Sequence, residues 1–229
     1  MAALYLIRHG QASFGSANYD ALSERGHQQA RVLGESLVQR GIRFDAAFAG
    51  TMQRHTQTAE GCLGAMQCDL PLIQLPEFNE YNHEEVFARH RPELEDKEQF
   101  AQFLAQSGDP HKAFQKEFEK AMLRWRSGDF DDEYSESWPA FRARNIAAVD
   151  AARRHGAKSI AVFSSGGPIS NITGHCLGLD GDQSVGLGWA IMNCSITCLL
   201  FTADKISLRY FNDFSHFEIR ADKSLVTHR

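Results

Sequence analysis

The chain has 229 residues, 43% of them hydrophobic, with a net charge of −5 at pH 7 and an isoelectric point near 6.0. That length suits one large domain, or one domain carrying an insertion, with a sizeable core. The acidic balance offers no basic surplus for nucleic acid, and no run approaches the roughly 18 apolar residues that span a membrane.

The first predicted strand is Leu4-Tyr5-Leu6-Ile7, four apolar residues ended by the polar triplet Arg8-His9-Gly10. A loop follows, carrying Gly15, Ser16, Ala17 and Asn18. A helix then opens with Ser23 as its N-cap, shows Ala30, Leu33, Leu37 and Val38 at helical spacing, and stops at Gly41. Residues 44–49 read as a second strand, ended by Gly50, and Thr51 is the expected cap of a second helix running through Arg54, Thr58 and Cys62. Residues 70–75 form a short strand before Pro76-Glu77-Phe78.

From residue 84 to 128 the texture is charged, rich in Phe and helical in period. Phe87, Phe100, Phe103 and Leu104 fit one helix face, and Phe114, Phe118, Met122 and Trp125 fit another. Gly108-Asp109-Pro110 separates the two. The stretch reads as an inserted helical hairpin or lid, residues 84–136 including an acidic loop, and its aromatic stripes read as core. Residues 137–155 form a further long helix, capped by Ser137 with Pro139 in its first turn. A strong strand at 158–164 leads through Ser165-Gly166-Gly167-Pro168 into a helix ending near Gly178. Residues 195–201 and 206–211 make a terminal hairpin turning at Ala203-Asp204-Lys205. Strands alternating with helices predict an α/β fold: three layers, a mostly parallel sheet flanked by helices on both faces.

The first seven residues lack the basic lead of a secretory signal. The five cysteines (Cys62, Cys68, Cys176, Cys194 and Cys198) form no CxxC pair. Reduced thiols, a cytoplasmic location and no zinc site are therefore expected. Cys194 and Cys198, four apart, are expected to face one side as small core residues.

Three strand ends carry chemistry. In open α/β sheets ligands bind beyond the carboxyl ends of the strands. The first end supplies Arg8, a planar fork suited to phosphate; His9, a nitrogen nucleophile near neutral pH; and Gly10, which lets the backbone turn. The second supplies Arg54. Ser164-Ser165-Gly166-Gly167 opens a helix whose amides and dipole favour an anion. Glu77, just after another strand, can supply an acid. Together they describe a phosphate site with a nucleophile inside it.

These stretches resemble the histidine phosphatase superfamily, also called phosphoglycerate mutase-like. Leu6-Ile7-Arg8-His9-Gly10-Gln11 matches its signature with the nucleophilic histidine, and Leu22-Ser23-Glu24-Arg25-Gly26-His27-Gln28-Gln29-Ala30 its helix entry. Arg54-His55-Thr56-Gln57-Thr58-Ala59 matches the motif whose arginine binds the phosphoryl group, and Leu75-Pro76-Glu77 the position of the general acid. The resemblance implies a single domain over residues 1–229 acting on a small phosphorylated substrate, without cofactor or metal. It implies catalysis by His9, Arg8, Arg54 and Glu77, and substrate binding by Gly10, Gln11, Ser165 and Gly166. Hydrolysis through a phosphohistidine is the expected reaction. A mutase-type phosphotransferase and a non-catalytic phosphate- or partner-binding module are the alternatives.

The sequence departs from the family pattern in three places. The family's last motif reads Ser-His-Gly-Gly, and here Ser165 stands in place of the histidine. His83 and His55 lie near motif residues and are candidates to fill that gap, though each reads as an ordinary surface histidine. A histidine restored at 165 is expected to raise activity modestly, unless another side chain such as His83 occupies the space. Asn79-Glu80-Tyr81-Asn82-His83 replaces a run common after the acid, which leaves Glu80 as a second candidate acid. Asn18 is the counterpart of an early family asparagine, at longer spacing from Gly10. Substrate choice is expected to lie within residues 81–138, with no motif there to name the substrate.

Overall fold

The computed structural model describes residues 1–13 and 20–228. The elements, in chain order, are β1 (Ala2–Arg8), α1 (Glu24–Gln39), β2 (Ala46–Ala49), α2 (Gln53–Ala65), β3 (Leu72–Gln74), α3 (His83–His90), α4 (Lys97–Ala105) and α5 (Pro110–Ser127). They continue with α6 (Trp138–Arg154), β4 (Ser159–Ser164), α7 (Gly166–Leu177), α8 (Gly181–Gly188), β5 (Ile196–Phe201), β6 (Ile206–Asp213) and α9 (Ser215–Glu218). The chain divides into two compact units, Met1–Glu80 with Arg144–Arg229, and Tyr81–Ala143.

The first unit holds a six-stranded mixed sheet in the order β3-β2-β4-β1-β5-β6. β1 to β4 pair in parallel, while β5 is antiparallel to both β1 and β6. Alternate residues of the central strands enter two cores. Tyr5, Ile7, Ala47, Ala161 and Phe163 pack on one face with Leu33 and Leu37 of α1 and Cys62 and Leu63 of α2. Leu4, Leu6, Phe48, Ile160 and Val162 pack on the other with Ala148, Val149 and Ala152 of α6 and Ile169 and Ile172 of α7. Cys194 and Cys198 both belong to the first core. A strand apolar on both faces is what a covered parallel sheet requires.

Several local readings need correction. Ser23 caps α1 by accepting from Gly26 N, as expected, but Val38 is exposed rather than part of the apolar face. Thr51 does not cap α2, whose N-cap is Met52 without a side-chain bond. The Thr51 hydroxyl instead accepts from Asn79 Nδ2 at 2.7 Å. Residues 179–194, where no apolar periodicity marks an element, contain α8, begun by a capping box at Asp180 and Gln183.

In the second unit the expected hairpin is three helices with a short 3₁₀ turn at Pro92–Glu95. The two aromatic stripes meet in one cluster: Phe87 lies 5.2 Å from Phe114 and 6.2 Å from Phe100, centroid to centroid. Trp125 stacks among Tyr81, Trp138 and Phe141, and its indole N–H donates to Glu136 O at 2.8 Å. A cavity of about 910 Å³ opens beside the phenylalanine cluster, lined also by His83, Arg89 and Lys97. None of its lining residues belongs to the unit that carries His9. Among the described residues no helix is long and apolar enough to cross a membrane.

Candidate active site

The parallel strands β1, β2 and β4 end together. Arg8 is in register with Ser164, and Ala49 with Phe163. The ladder runs one residue further, with His9 N donating to Ser164 O at 2.9 Å and Gly50 N to Phe163 O at 3.1 Å. Arg8, His9, Gly50, Ser164 and Ser165 therefore stand at one edge of the sheet.

Motif residues of α1 and α2 fix the turn after β1. Gly10 N donates to Thr58 Oγ1 at 3.0 Å, and that hydroxyl donates to Arg54 O at 2.6 Å. Gln57 Oε1 accepts from Leu22 N. Gln29 Oε1 accepts from Gln11 N, while its amide donates to Leu225 O and Thr227 Oγ1, each at 2.8 Å. A Cβ on Gly10 would come within 2.6 Å of Gly26 O, and one on Gly26 would overlap Gln11 O. Only glycines permit this backbone approach. Gln11, expected to touch substrate, is held to the α1 cap: its side-chain oxygen accepts from Ser23 Oγ at 3.1 Å.

His9 is buried, and its Nδ1 lies 2.7 Å from Gly10 O. A carbonyl only accepts, so Nδ1 carries the proton and Nε2 keeps its lone pair. Burial above all, then the charges of Arg54 and Arg8, hold the imidazole well below its usual pKa. It is neutral at physiological pH, the state a nitrogen nucleophile needs.

Both arginines are anchored. Arg8 Nη1 donates to Ile191 O and, at 3.0 Å, to His228 O. Arg54 Nη1 pairs with Asp20 Oδ1 at 2.7 Å, and Asp20 Oδ2 accepts from Gln53 N. Arg54 Nε is buried without a partner. Asp20 was not foreseen; no spacing in the sequence connects it to Arg54.

Glu77 sits in the 3₁₀ turn Pro76–Phe78. That turn is pinned to the sheet: Ser164 Oγ donates to Phe78 O, Asn145 Nδ2 to Glu77 O, and Arg144 Nη1 to the carbonyls of Glu77 and Asn79. The Glu77 carboxylate is half-buried and makes no bond to another described residue. Glu80 behaves differently. Its Oε2 accepts from Gly167 N at 3.0 Å, so a carboxylate rests on an amide in the first turn of α7. The helix end that the sequence reading gives to an anion is met here by the chain's own carboxylate. Gly166 lies against the Arg8 guanidinium, 3.8 Å from Nε to the position of a Cβ.

The two candidate histidines differ. His83 opens α3 in the second unit. His55 is no surface residue: it is fully buried, 5.8 Å from the His9 ring, with Nε2 2.7 Å from Ser165 Oγ. The space beside Ser165 is taken, so a histidine at 165 would collide with His55 rather than fill a gap. Asn18 lies outside the described residues.

Comparison with known proteins bears on the family and the fold. The model of the histidine phosphatase superfamily (branch 1) matches residues 4–114 and 106–214. A 2,3-bisphosphoglycerate-dependent phosphoglycerate mutase of Bartonella henselae is 35% identical over 101 residues, covering 41% of this chain and 49% of the mutase. The chain thus spans about half the length of the curated relatives it matches. The phosphoglycerate mutase of Bacillus anthracis superposes with a TM-score of 0.64 at 20% identity over 94% of each chain. A phosphoserine phosphatase mutant of Entamoeba histolytica, in complex with phosphoserine, gives 0.65 at 20% identity over 94% of this chain and 99% of that one. These structures share the fold.

Proposed function

Because the chain belongs to the histidine phosphatase superfamily, we propose that it is a phosphomonoester hydrolase working through a phosphohistidine on His9. The observation that carries this reading is the state of His9: Nδ1 committed to Gly10 O, Nε2 left with its lone pair, and the ring kept neutral between two guanidinium groups.

Nε2 attacks phosphorus in line with the ester oxygen. Arg8 and Arg54 neutralise the charge spread over the equatorial oxygens. Their anchors, Ile191 O and Asp20, leave no rotamer search for the moment of reaction. The Gly166 amide and Ser165 complete the cradle, beside the Gly167 amide that Glu80 occupies. As the P–O bond breaks, Glu77 protonates the leaving alkoxide. As a carboxylate it then takes a proton from the water that breaks the P–N bond. The arginines carry the charge work, so activity is expected to survive exhaustive chelation with EDTA.

A mutase reading has its own support, since the curated relatives over part of this chain are named phosphoglycerate mutases. Labelling separates the readings. The chain is loaded with ³²P from a labelled phosphomonoester, and the acid-labile label is chased. Label released as inorganic phosphate at the same rate with or without a phosphoglycerate supports the hydrolase. Label recovered on the phosphoglycerate supports the mutase. A chain that never takes up label is a phosphate-binding module.

A further inference from the structure

Ser165 occupies the N-cap of α7 and is the type of residue that caps helices, yet its hydroxyl makes no cap bond. The Gly167 amide is served by Glu80 instead. The hydroxyl is given to His55 Nε2, at 2.7 Å. Both side chains are completely closed to solvent. Room for the imidazole is built into β2's end: a Cβ on Gly50 would overlap His55 Nδ1 and lie 2.5 Å from Asn79 Oδ1.

The other ring nitrogen, Nδ1, is buried with no hydrogen-bond partner. An N–H there would be an orphaned buried donor, a rare and costly arrangement. The proton therefore sits on Nε2 and is donated to Ser165 Oγ. The serine's own proton is left with no acceptor among the described residues. It is a hydroxyl with a proton to donate, at the N-cap of the helix whose Gly167 amide already holds a carboxylate.

We infer that His55 is a positioning residue of this site: its imidazole fixes the Ser165 hydroxyl as a donor to a phosphoryl oxygen. The pair stands in for the single histidine that the family motif places at the start of this helix. Two side chains, one from α2 and one from α7, occupy the place of one. This rests on the phosphoryl-transfer reading of the site and adds to it a role for a residue one step beyond Arg54.

The test is a swap. Four proteins are compared: the natural chain, His55→Ala, Ser165→His, and the double variant His55→Ala/Ser165→His. kcat and KM are measured with p-nitrophenyl phosphate, Kd with inorganic phosphate, and Tm for each. His55→Ala is expected to lower kcat about 100-fold, the usual cost of losing one preorganised donor. Ser165→His alone is expected to lower kcat/KM about tenfold or more, since its ring meets His55. The double variant is expected to return within about tenfold of the natural chain, because the new imidazole enters the vacated space. His55→Gln, which keeps an N–H near the Nε2 position, is expected to recover most of the loss. Losses that simply multiply in the double variant would overturn the inference, as would full activity in His55→Ala. If the natural chain shows neither turnover nor ³²P uptake, the hydrolase reading fails instead. The same swap pattern in phosphate Kd then still upholds the pairing, and additive losses in Kd overturn it.

Discussion

The Nδ1 of His9 donates to the carbonyl oxygen of Gly10, its neighbour in sequence, across 2.7 Å. The bond needs the turn that two glycines allow, so the tautomer of the nucleophile is set by backbone geometry. His9→Ala is expected to lower turnover on the order of 10⁴-fold or more and to abolish the phosphoenzyme. A strand-end residue contributes little to either core, so Tm should change little. Turnover close to that of the natural chain would remove His9 from the mechanism.

Three buried imidazoles make the fold acid-sensitive. Burial is the leading cause that lowers the pKa of His9 and His55 well below 6.5, and that of His216 to about 4. A depressed folded pKa means the unfolded chain binds more protons below pH 6.5. Stability is therefore complete above that pH and is lost as pH falls towards the folded values. His216 alone contributes on the order of 3 kcal/mol. Urea midpoints measured from pH 7.5 down to 4.5 should fall, and fall less steeply in His216→Gln. An unchanged slope would contradict the assignment. The same sign applies to catalysis: kcat/KM should stay level through pH 6.5 and decline only at more acid pH.

Glu77 and Glu80 separate by leaving group. Glu77→Gln should leave nitrophenyl phosphate hydrolysis within about tenfold and slow alkyl phosphates by about 10²–10⁴-fold, because only the alkoxide needs a proton. Glu80→Gln removes a carboxylate from the Gly167 amide and should tighten the Kd for inorganic phosphate. If the leaving-group dependence appears in Glu80→Gln instead, Glu80 is the acid.

Two glycine substitutions should act in opposite directions. Gly26→Ala sets a methyl against Gln11 O and is expected to cost about 1–3 kcal/mol together with activity. Gly64→Ala, inside α2 with open space around it, should stabilise by about 0.5–1 kcal/mol and leave activity alone. Thermal melts of the two variants check both signs.

Strands and long helices were legible because apolar runs and 3.6-residue spacing are local. That Arg8 and Ser164 each end a strand was legible; that these two strands are neighbours is known only from the sheet order. What the sequence could not show depends on contacts between distant segments. Thr51 looks like a cap, but a side-chain pair with Asn79 competes for it. His55 looks like a solvated residue beside a motif, and only the fold brings its ring against Ser165, 110 positions away. Asp20 against Arg54 is likewise a meeting of a loop and a helix with no periodic signature. The departure at position 165 was readable, and so was a list of histidines; that the ring of His55 is the one that meets Ser165 required three dimensions.

The last residues of the described chain are stitched to the end of its first strand. Gln29 holds Gln11 on one side and Leu225 and Thr227 on the other, Asn193 N donates to Thr227 O, and Arg8 grips His228 O. Neither end can fray without releasing the other, so local opening there has the character of a closed loop rather than of two loose tails. Amide exchange at Gln11 and Asn193, on opposite sides of that seam, should accordingly slow and quicken together.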